Sequence, residues 1–381
     1  MKKVLFALTQ YNILTQTFIY DQLIHLQRFR ASVLTQKKPI NLEVFPFAPI
    51  YSLADESWIS RYWNRKVCFP LFRRMPFYEK IITCESPDVI HAHFGGMASK
   101  LSRSARHFGI PLITYFYGHD IPKIRRKKGR RKIFSDGALF LVLSKGMGAE
   151  IEQLGCPAHK IRVLDVGIDP DEFPPRQEQP DPALFKVVTV ARLVEKKGIR
   201  YLIEAMGLLK ERFPHLNCRI IGDGPLRADL EERIRRLALE NRVKITGYVP
   251  YATLADEYCR AHCFILPSLT GRHGERDELS MVTKQALASG VPVITTDHAG
   301  IAETFKDGVH GMLVAERDAP GLAEALARLI DDPALAAGFA ANGRKLVEKT
   351  FNVKKNVGRM EEIYDEAIAA DRRDHRGRDC S

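Results

Sequence analysis

Two cations lie in a short loop of the second half of the chain, where their spacing suits an anionic ligand. Arg192 and Lys197 belong to the segment ARLVEKKG, between a predicted strand over residues 185–190 and a predicted helix after Gly198. Arginine and lysine bind phosphate oxygens, and the N–H groups at a helix N-terminus add further donors. The segment therefore predicts a diphosphate site, although a solvated loop of cations would have nearly the same composition.

A glycine-containing turn follows the next predicted strand. Gly222, Gly224 and Pro225 lie in the segment IIGDGP, and Tyr248 lies in GYVP at the end of the strand after that. Glycines allow a ligand to approach the backbone closely, so we expect all four residues to face the same ligand. The turn does not match the Gly-x-Gly-x-x-Gly pattern, so a nicotinamide cofactor is not expected.

A third polar element is the acidic loop over residues 270–278 that precedes a predicted helix over residues 281–288. A carboxylate in this loop, about two helical turns before a second polar residue, could contact the hydroxyl groups of a sugar and a ribose. In the alternative interpretation, Asp277 or Glu278 only stabilises the N-terminus of the helix.

Predicted strands alternate with helical patterns along the whole chain. In the first half they cover residues 4–9, 42–45, 88–93, 111–115, 138–144 and 161–166; in the second half they cover residues 185–190, 218–221, 243–247, 263–267 and 291–295. This alternation predicts an α/β fold of two Rossmann-like domains, with parallel sheets that face one another across a cleft. Ligands of such sheets bind beyond the carboxyl ends of the strands, where the polar segments lie.

The predicted domain boundaries follow from composition. Segment 167–182 contains five prolines and no apolar period, which is typical of a linker. We therefore predict an N-terminal domain over 1–170, a linker over 171–182, and a C-terminal domain over 183–350. A helix over 351–370 is expected to pack back towards the N-terminal domain, and the charged tail over 371–381 is expected to be disordered.

Composition narrows the class of protein. The chain has 381 residues, 45% hydrophobic and 27% charged, which suits two soluble domains. No apolar run approaches the roughly 18 residues that a transmembrane helix needs, and the short apolar start fits a buried strand better than a signal peptide. Seven scattered cysteines fit a reducing compartment. We expect a cytoplasmic protein.

The formal charge of +12 is concentrated in two clusters. Segment 125–132 reads RRKKGRRK, and segment 57–75 combines cations with both tryptophans of the chain. Aromatic side chains with cations favour the surface of an anionic membrane. Nucleic acid is not expected, since no motif for it is present, and a solvated basic face is the remaining alternative. The residues predicted to face the membrane are Arg125, Arg126, Lys127 and Lys128.

One cysteine–histidine cluster is a candidate metal-binding site. Cys259, His262 and Cys263 lie close together in the chain, but no fourth ligand is evident. A helix end that leads into a buried strand explains the cluster better, so no metal is expected.

The segments ARLVEKKG, IIGDGPLR, GYVP, LPS and ALASGVPVITT resemble glycosyltransferase family 4, the retaining enzymes of the GT-B fold, and the resemblance covers nearly the whole chain. It is strongest over 186–314. In the first half, segments 17–22, 91–95 and 117–120 are similar to the bacterial exopolysaccharide and colanic-acid branch. The resemblance implies that Arg192 and Lys197 neutralise the departing diphosphate in place of a metal.

The chain departs from the family pattern on the donor side. The paired glutamates of the family align with Asp277, which would position the donor sugar, and Gln285, which would bind the ribose. Gln285 accepts fewer hydrogen bonds than a glutamate, so binding should weaken by about 1 kcal/mol. Glu278, seven positions before Gln285, is a possible substitute. Donor contacts are predicted for Gly222, Gly224, Pro225, Tyr248, Glu278, Leu279, Ser280 and Gln285.

A second departure lies in the first half. The family often has a His-Gly-x-Asp segment whose histidine lies near the reacting centre, and here that position is Tyr117. His119 and Asp120 are retained, and we expect them to face the acceptor as catalytic groups. Acceptor contacts are predicted for Thr15, Gln16, Thr17, His93 and Tyr117, although His91 and His93 are more typical of structural histidines.

The predicted activity is a retaining, metal-independent transfer of a sugar from a UDP- or GDP-sugar to a saccharide acceptor. The acceptor is expected to be lipid-linked, and the process to be bacterial surface polysaccharide biosynthesis at the inner face of the plasma membrane. Two alternatives stay open: a nucleotide-sugar 2-epimerase, and a non-catalytic protein that binds a nucleotide-sugar or a partner. The residue pattern specifies neither the sugar and base nor the oligomeric state.

Overall fold

The computed structural model describes residues 1–13, 16–118, 120–126, 130–176, 184–272, 274, 278–298 and 300–379. The chain forms two compact units of similar size. The first domain comprises Met1–Val166 and Val353–Ser381, and the second domain comprises Gly167–Asn352.

The first domain contains a seven-stranded parallel sheet in the order β3-β2-β1-β4-β5-β6-β7. The central strands are nearly all apolar and buried, as expected where helices cover both faces of a sheet. Its strands are β1 (Lys2–Leu8), β2 (Phe29–Thr35), β3 (Ile50–Ser52), β4 (Val89–His93), β5 (Leu112–Tyr115), β6 (Leu139–Val142) and β7 (Ile161–Val163).

The predicted strand over residues 42–45 is wrong, and two strands of this edge were missed. Residues 42–45 form a turn, with Val44 and Phe45 donating to the carbonyl oxygen of Asn41. β2 instead pairs with β1 along its full length, from Lys2 opposite Phe29 onwards. Arg30 and Ser32 interrupt the apolar residues of β2, so its apolar run is too short to mark it as a strand without its neighbour.

Helices cover the first sheet. They are α1 (Phe18–Ile24), α2 (Trp58–Tyr62), α3 (Phe69–Phe72), α4 (Pro76–Glu85), α5 (Gly95–His107), α6 (Ile121–Arg126), α7 (Arg130–Asp136) and α8 (Lys145–Gln153). A π-helical stretch, Trp63–Cys68, joins α2 directly to α3.

The second domain contains a six-stranded parallel sheet in the order β10-β9-β8-β11-β12-β13. Its strands are β8 (Phe185–Val190), β9 (Leu216–Ile221), β10 (Val243–Gly247), β11 (Cys263–Leu266), β12 (Val293–Thr296) and β13 (Met312–Val314). Its helices are α9 (Ile199–Leu209), α10 (Arg227–Arg236), α11 (Leu254–Cys259), α12 (Met281–Ala288), α13 (Ile301–Thr304), α14 (Ala319–Asp331) and α15 (Pro333–Thr350).

The boundary between the domains differs from the predicted one. Residues 167–176 pack on the second domain, where Phe173 is buried in the core. Arg344 holds this segment, because its Nη1 donates to the carbonyl oxygens of Pro170 and Phe173. Proline-rich composition predicted a linker here, but the buried side chains of Ile168 and Phe173 and the hydrogen bonds of Arg344 anchor the segment. Residues 177–183 of the predicted linker lie outside the described residues.

The last helix, α16 (Val353–Asp379), returns to the first domain. The Oε1 atom of its buried Glu361 accepts hydrogen bonds from the backbone N–H groups of Gln27, Arg28 and Phe29, at 2.9, 2.7 and 3.2 Å. The helix continues to Asp379, past residue 370, where disorder was predicted.

Candidate active site

The cation-bearing loop of the second domain lies at the point where the strand order reverses. β8 and β11 are neighbours in the sheet, and the loops that follow them leave its carboxyl edge together. Gly198 has a φ of 64°, and a Cβ atom on it would lie 1.8 Å from the carbonyl oxygen of Pro267. Only glycine allows this contact between the two loops. Such reversal points are where open α/β sheets bind ligands.

Arg192 and Lys197 both lie in this β8–α9 loop. Arg192 is exposed and Lys197 is partly buried. The loop is held by backbone bonds from the N–H of Val194 to Arg192 and from the N–H of Lys197 to Val194, at 2.9 and 3.0 Å. Lys197 stands one residue before Gly198, the N-cap of α9. An anion at this helix N-terminus would meet backbone donors and a cation together.

The glycine turn after β9 packs against the same loop. A Cβ atom on Gly222 would lie 1.9 Å from the carbonyl oxygen of Ala191, and one on Gly224 would lie 2.6 Å from that of Leu193. The N–H of Leu193 also donates to the carbonyl oxygen of Asp223 at 3.0 Å. These glycines therefore let two backbone segments touch, whereas the sequence suggested close approach by a ligand.

The other predicted donor residues of this edge are more accessible. Pro225 is exposed, and Tyr248 is 66% exposed with its hydroxyl group 3.5 Å from the carbonyl oxygen of Asp223. Pro225 lies on the loop after β9, which is next to β8 in the sheet, and Tyr248 lies on the loop after β10, one strand further away.

The acidic loop is attached to the rest of the second domain through Glu278. Its Oε2 accepts a hydrogen bond from the backbone N–H of Gly300 at 3.0 Å. Leu279 is buried, and Ser280 is the N-cap of α12, where its hydroxyl group accepts from the N–H of Thr283. Glu278, Leu279 and Ser280 therefore stabilise the second domain through a hydrogen bond, burial and a helix N-cap, and their contacts with a donor stay a prediction. Asp277, the predicted sugar-positioning residue, lies outside the described residues.

Gln285 is 3% exposed and lies inside α12. Its Oε1 accepts a hydrogen bond from the hydroxyl group of Tyr258 at 3.1 Å. Burial raises the pKa of Tyr258, so the phenol stays protonated and remains the donor. The oxygen of Gln285 is therefore already used within the protein, and a ribose contact through its amide nitrogen stays a prediction.

Sequence reasoning missed the residues that hold the β11–α12 loop. Thr270 is bound by Glu316 and Arg317, which follow β13. Arg272 donates to Glu195 at 3.1 Å and so connects this loop to the loop of Arg192 and Lys197. No local pattern marks these pairs, because their members are 46 to 77 positions apart.

The first domain has a cavity of about 330 Å³ at the corresponding position of its own sheet, between the carboxyl ends of β1 and β4. Loops after β1, β4 and β5 contribute its walls. The lining residues are Thr9, Gln10, Ile13, Gln16, Phe94, Gly95, Gly96, Asp120, Lys123 and Ile124. Phe94 has a φ of 68°, an uncommon backbone conformation that often accompanies functional sites.

Asp120 is the buried acid of this cavity. Burial raises its pKa to about 7, against the opposing effects of hydrogen bonds from the backbone of Tyr117 and Gly95 and of the charge of Lys123. A carboxyl group with such a pKa can take up or release a proton near neutral pH. Lys123 was not predicted, although its position three residues after Asp120 was visible in the sequence.

The predicted acceptor residues of the β1–α1 loop and of the segment after β5 differ in whether they line the cavity. Gln16 lines the cavity, and Thr17 is buried at the start of α1. Thr15 and His119 lie outside the described residues.

His93 and Tyr117 are buried and in contact with one another. The Nδ1 atom of His93 lies 2.8 Å from the hydroxyl group of Tyr117, and the rings stack at 6.0 Å. His91 stacks on His93 at 4.3 Å, and its Nδ1 lies 2.5 Å from the hydroxyl group of Tyr364. Burial lowers the pKa of His91 to about 3 and also lowers that of His93, so both are neutral. They are interior residues, behind the cavity.

The basic segment begins at Arg125 in α6, directly after Ile124, which lines the cavity. Arg126 is exposed, whereas Arg125 donates to Glu150 of α8 at 2.8 Å. Lys127 and Lys128 lie outside the described residues. In the described part of the chain, no helix combines the length and the apolar character that crossing a membrane requires.

The cysteine–histidine cluster forms structural contacts. Cys263 is buried in β11, and the Nδ1 atom of His262 accepts a hydrogen bond from the N–H of Lys186 at 3.1 Å. Within the described ranges, no group of three His, Cys, Asp or Glu side chains is placed to hold a metal ion. Metal independence stays a prediction.

Comparison with known proteins adds to this geometry. Residues 171–346 match the model of Glycosyl transferases group 1, and residues 18–172 match that of Glycosyltransferase Family 4. The amylovoran biosynthesis glycosyltransferase AmsK of Erwinia amylovora is 33% identical over 285 residues, which are 73% of this chain and 70% of AmsK. The putative colanic acid biosynthesis glycosyltransferase WcaL of Escherichia coli (strain K12) is 34% identical over 70% of this chain and 67% of WcaL.

Solved structures show the same fold. HepE of Anabaena in complex with UDP has a TM-score of 0.78, with 96% of this chain and 100% of that chain covered at 20% identity. Sucrose-phosphate synthase from Thermosynechococcus elongatus has a TM-score of 0.75, with 97% and 100% covered at 21% identity. The predicted GT-B class of fold, with two Rossmann-like domains, is confirmed.

Proposed function

The chain belongs to glycosyltransferase family 4, and from that membership we propose that it transfers a sugar from a nucleotide-sugar to a lipid-linked saccharide, with retention of configuration and without a bound metal. The observation that carries this proposal is the position of Arg192 and Lys197 in one loop before the N-terminus of α9, at the strand-order reversal of the second sheet. Diphosphate is the ligand chemistry that such a loop suits.

The cations would act on the leaving group. As the bond between the anomeric carbon and the phosphate oxygen breaks, the electron pair stays on the diphosphate, and Arg192 and Lys197 stabilise that charge. The hydroxyl group of the acceptor then forms the new bond to the anomeric carbon, and its proton passes to the departing diphosphate. Asp277 would position the donor sugar and Gln285 the ribose. Pro225 and Tyr248 would contact the nucleotide.

The acceptor would occupy the cavity of the first domain. Gln16 and Asp120 line it, and His119 belongs to the segment that follows β5. Thr15, Thr17, His93 and Tyr117 would shape this site from the loops and strands around it. The basic residues Arg125, Arg126, Lys127 and Lys128 follow the same segment and would contact an anionic membrane that carries the acceptor.

The relatives and structural neighbours support this assignment. HepE has been crystallised with UDP and glucose, which suits a nucleotide-sugar as the donor. The names of AmsK and WcaL refer to amylovoran and colanic acid. We therefore place the reaction in bacterial surface polysaccharide biosynthesis, at the cytoplasmic face of the plasma membrane.

The first experiment titrates the full chain with UDP and with GDP in the absence of metal, by calorimetry. One nucleotide should bind, and the Arg192→Ala/Lys197→Ala variant should bind it at least about tenfold more weakly, since two charge-assisted contacts are lost. Lys244→Ala/Arg260→Ala removes the same residue types from exposed positions of the second domain and should bind normally. If neither nucleotide binds, the proposed donor site is wrong. Inversion at the anomeric carbon of a product would contradict retention.

A further inference from the structure

Among the described residues of the first domain, the helical segment over residues 58–72 carries the largest group of exposed apolar side chains. It runs without interruption through α2, the π-helical stretch and α3. Six of its large apolar side chains are between 54% and 70% exposed, which is unusual for one short segment. They are Trp58, Ile59, Tyr62, Trp63, Leu71 and Phe72.

The opposite side of this helix is fixed to the domain. Asn64 and Cys68 are buried. The Oδ1 atom of Asn64 accepts a hydrogen bond from the N–H of Phe77 at 2.9 Å, and its Nδ2 donates to the carbonyl oxygen of Ser60. The exposed face is therefore presented by an anchored helix.

The π-helical stretch changes which residues share that face. At about 100° per residue, a regular α-helix would place Leu71 about 120° from Ile59 and about 80° from Trp63 around the helix axis. A π-helical stretch accommodates about one extra residue, which turns the residues after it back by about 100°. Leu71 then lies close to the direction of Trp63. The π-helical stretch therefore brings Leu71 onto the side of the helix that carries Ile59 and Trp63.

The charge of the segment identifies the partner. Between Ser57 and Met75 there are five Arg and Lys residues and no Asp or Glu. Lys66 and Arg73 are exposed beside the apolar face. Tryptophan and tyrosine favour the headgroup layer of a bilayer, and cations beside them favour anionic lipids. A protein partner of ordinary surface composition would not require such one-sided charge.

The helix is also connected to the cavity. The Nη2 atom of Arg65 donates to the carbonyl oxygen of Gln36 at 3.0 Å, and the N–H of Gln36 donates to the carbonyl oxygen of Thr9 at 3.2 Å. Thr9 lines the cavity. Two hydrogen bonds therefore separate the exposed helix from the candidate acceptor site.

We propose that the helix over residues 58–72 inserts its apolar face into the headgroup layer of an anionic phospholipid bilayer and so holds the cavity at the membrane surface. The inference rests on the proposed function for its purpose, since a lipid-linked acceptor would enter the cavity from that surface. The contact with lipid itself is a property of the helix and can be tested without acceptor or donor.

The chain carries its own probe, because Trp58 and Trp63 are its two tryptophans. The full chain is mixed with vesicles of phosphatidylcholine alone, or of phosphatidylcholine with phosphatidylglycerol, and its tryptophan emission is recorded. Emission should shift to shorter wavelength only with the anionic vesicles, and lipids brominated in the upper acyl chain should quench it.

Two variants test whether the binding to anionic vesicles depends on the helix over residues 58–72. Ile59→Ser/Leu71→Ser/Phe72→Ser keeps both tryptophans and should weaken vesicle binding at least about tenfold, as three apolar side chains no longer enter the bilayer. Leu208→Ser/Val309→Ser, at exposed apolar positions of the second domain, should bind as the parent does.

Two outcomes would overturn the proposal. One is no binding to anionic vesicles. The other is binding without a change in tryptophan emission, which would assign the contact to another surface such as segment 125–132. Nucleotide titration of the same samples distinguishes the two proposals. If the chain binds nucleotide but not vesicles, the membrane contact of the helix is refuted and the donor site is not. If it binds vesicles but not nucleotide, the donor site is refuted and the membrane contact is not.

Discussion

Glu316 accepts hydrogen bonds from both the backbone N–H and the hydroxyl group of Thr270, at 2.9 and 2.7 Å. Arg317 completes this contact, because its Nη2 donates to the carbonyl oxygen of Thr270 at 3.1 Å. Thr270 lies at the start of the β11–α12 loop, which leads to Asp277. The residues after β13 therefore hold the first part of this loop in place. Glu316 is a positioning residue for the proposed donor site.

We expect Glu316→Ala to raise the KM for the donor by about tenfold with a smaller change in kcat. Loss of two bonds to a carboxylate lets the loop move, and about 1.4 kcal/mol corresponds to a factor of ten. Steady-state kinetics with varied donor checks this. Glu316→Gln keeps an acceptor oxygen and should recover most of the affinity. Glu324→Ala removes an exposed carboxylate of α14 and serves as the control. An unchanged KM in Glu316→Ala would contradict the positioning role.

Gln285→Glu should tighten nucleoside diphosphate binding by about fivefold, or about 1 kcal/mol. One carboxylate oxygen would keep the hydrogen bond from Tyr258, and the other would accept from the ribose. Calorimetric titration with the nucleotide that binds the parent chain measures the change. Weaker binding would mean that the cost of burying a charge beside Tyr258 exceeds the gain.

A companion variant, Tyr258→Phe, tests the contact itself. It leaves the Oε1 atom of Gln285 buried without its donor, and the free energy of unfolding should fall by about 1–3 kcal/mol. Urea unfolding followed by circular dichroism measures this. A stability equal to that of the parent chain would show that the hydrogen bond contributes little.

Asp120 should make stability depend on pH. Burial raises its pKa from 3.8 to about 7, so between these values the folded chain holds a proton that the unfolded chain has lost. Its contribution to stability is therefore complete below pH 4 and is lost as the pH rises through 7. Relative to Asp120→Asn, the free energy of unfolding of the parent should fall by about 1.4 kcal/mol per pH unit from pH 5 to pH 7.

Urea unfolding at pH 5, 6, 7 and 8 tests this dependence. Asp55→Asn, the same change at an exposed position of the first domain, should give a difference from the parent that does not vary across the series. If the difference between the parent and Asp120→Asn is equally constant, Asp120 is ionised in the fold and its assigned pKa is wrong.

Much of the fold followed from local patterns. Nine of the eleven predicted strands lie within two residues of an observed strand at both ends, because a buried parallel strand is a short apolar run whoever its neighbours are. β2, β3 and β13 were not predicted, because the local pattern of each is too short or too polar to mark a strand without the neighbour that pairs with it. The extent of α16 was also underestimated, since a charged helix end has no apolar period.

By itself, the sequence determined the class of fold, the family, and the loop that carries Arg192 and Lys197. These depend on apolar periodicity and on residue types a few positions apart. The tertiary structure decided the rest: that Gly222 packs against Ala191, that the oxygen of Gln285 is bound by Tyr258, and that Asp120 is buried in a cavity. Each of these depends on residues distant in the chain, and only the packing within each domain, of strands on strands and helices on the sheet, brings such residues within a few ångströms of one another.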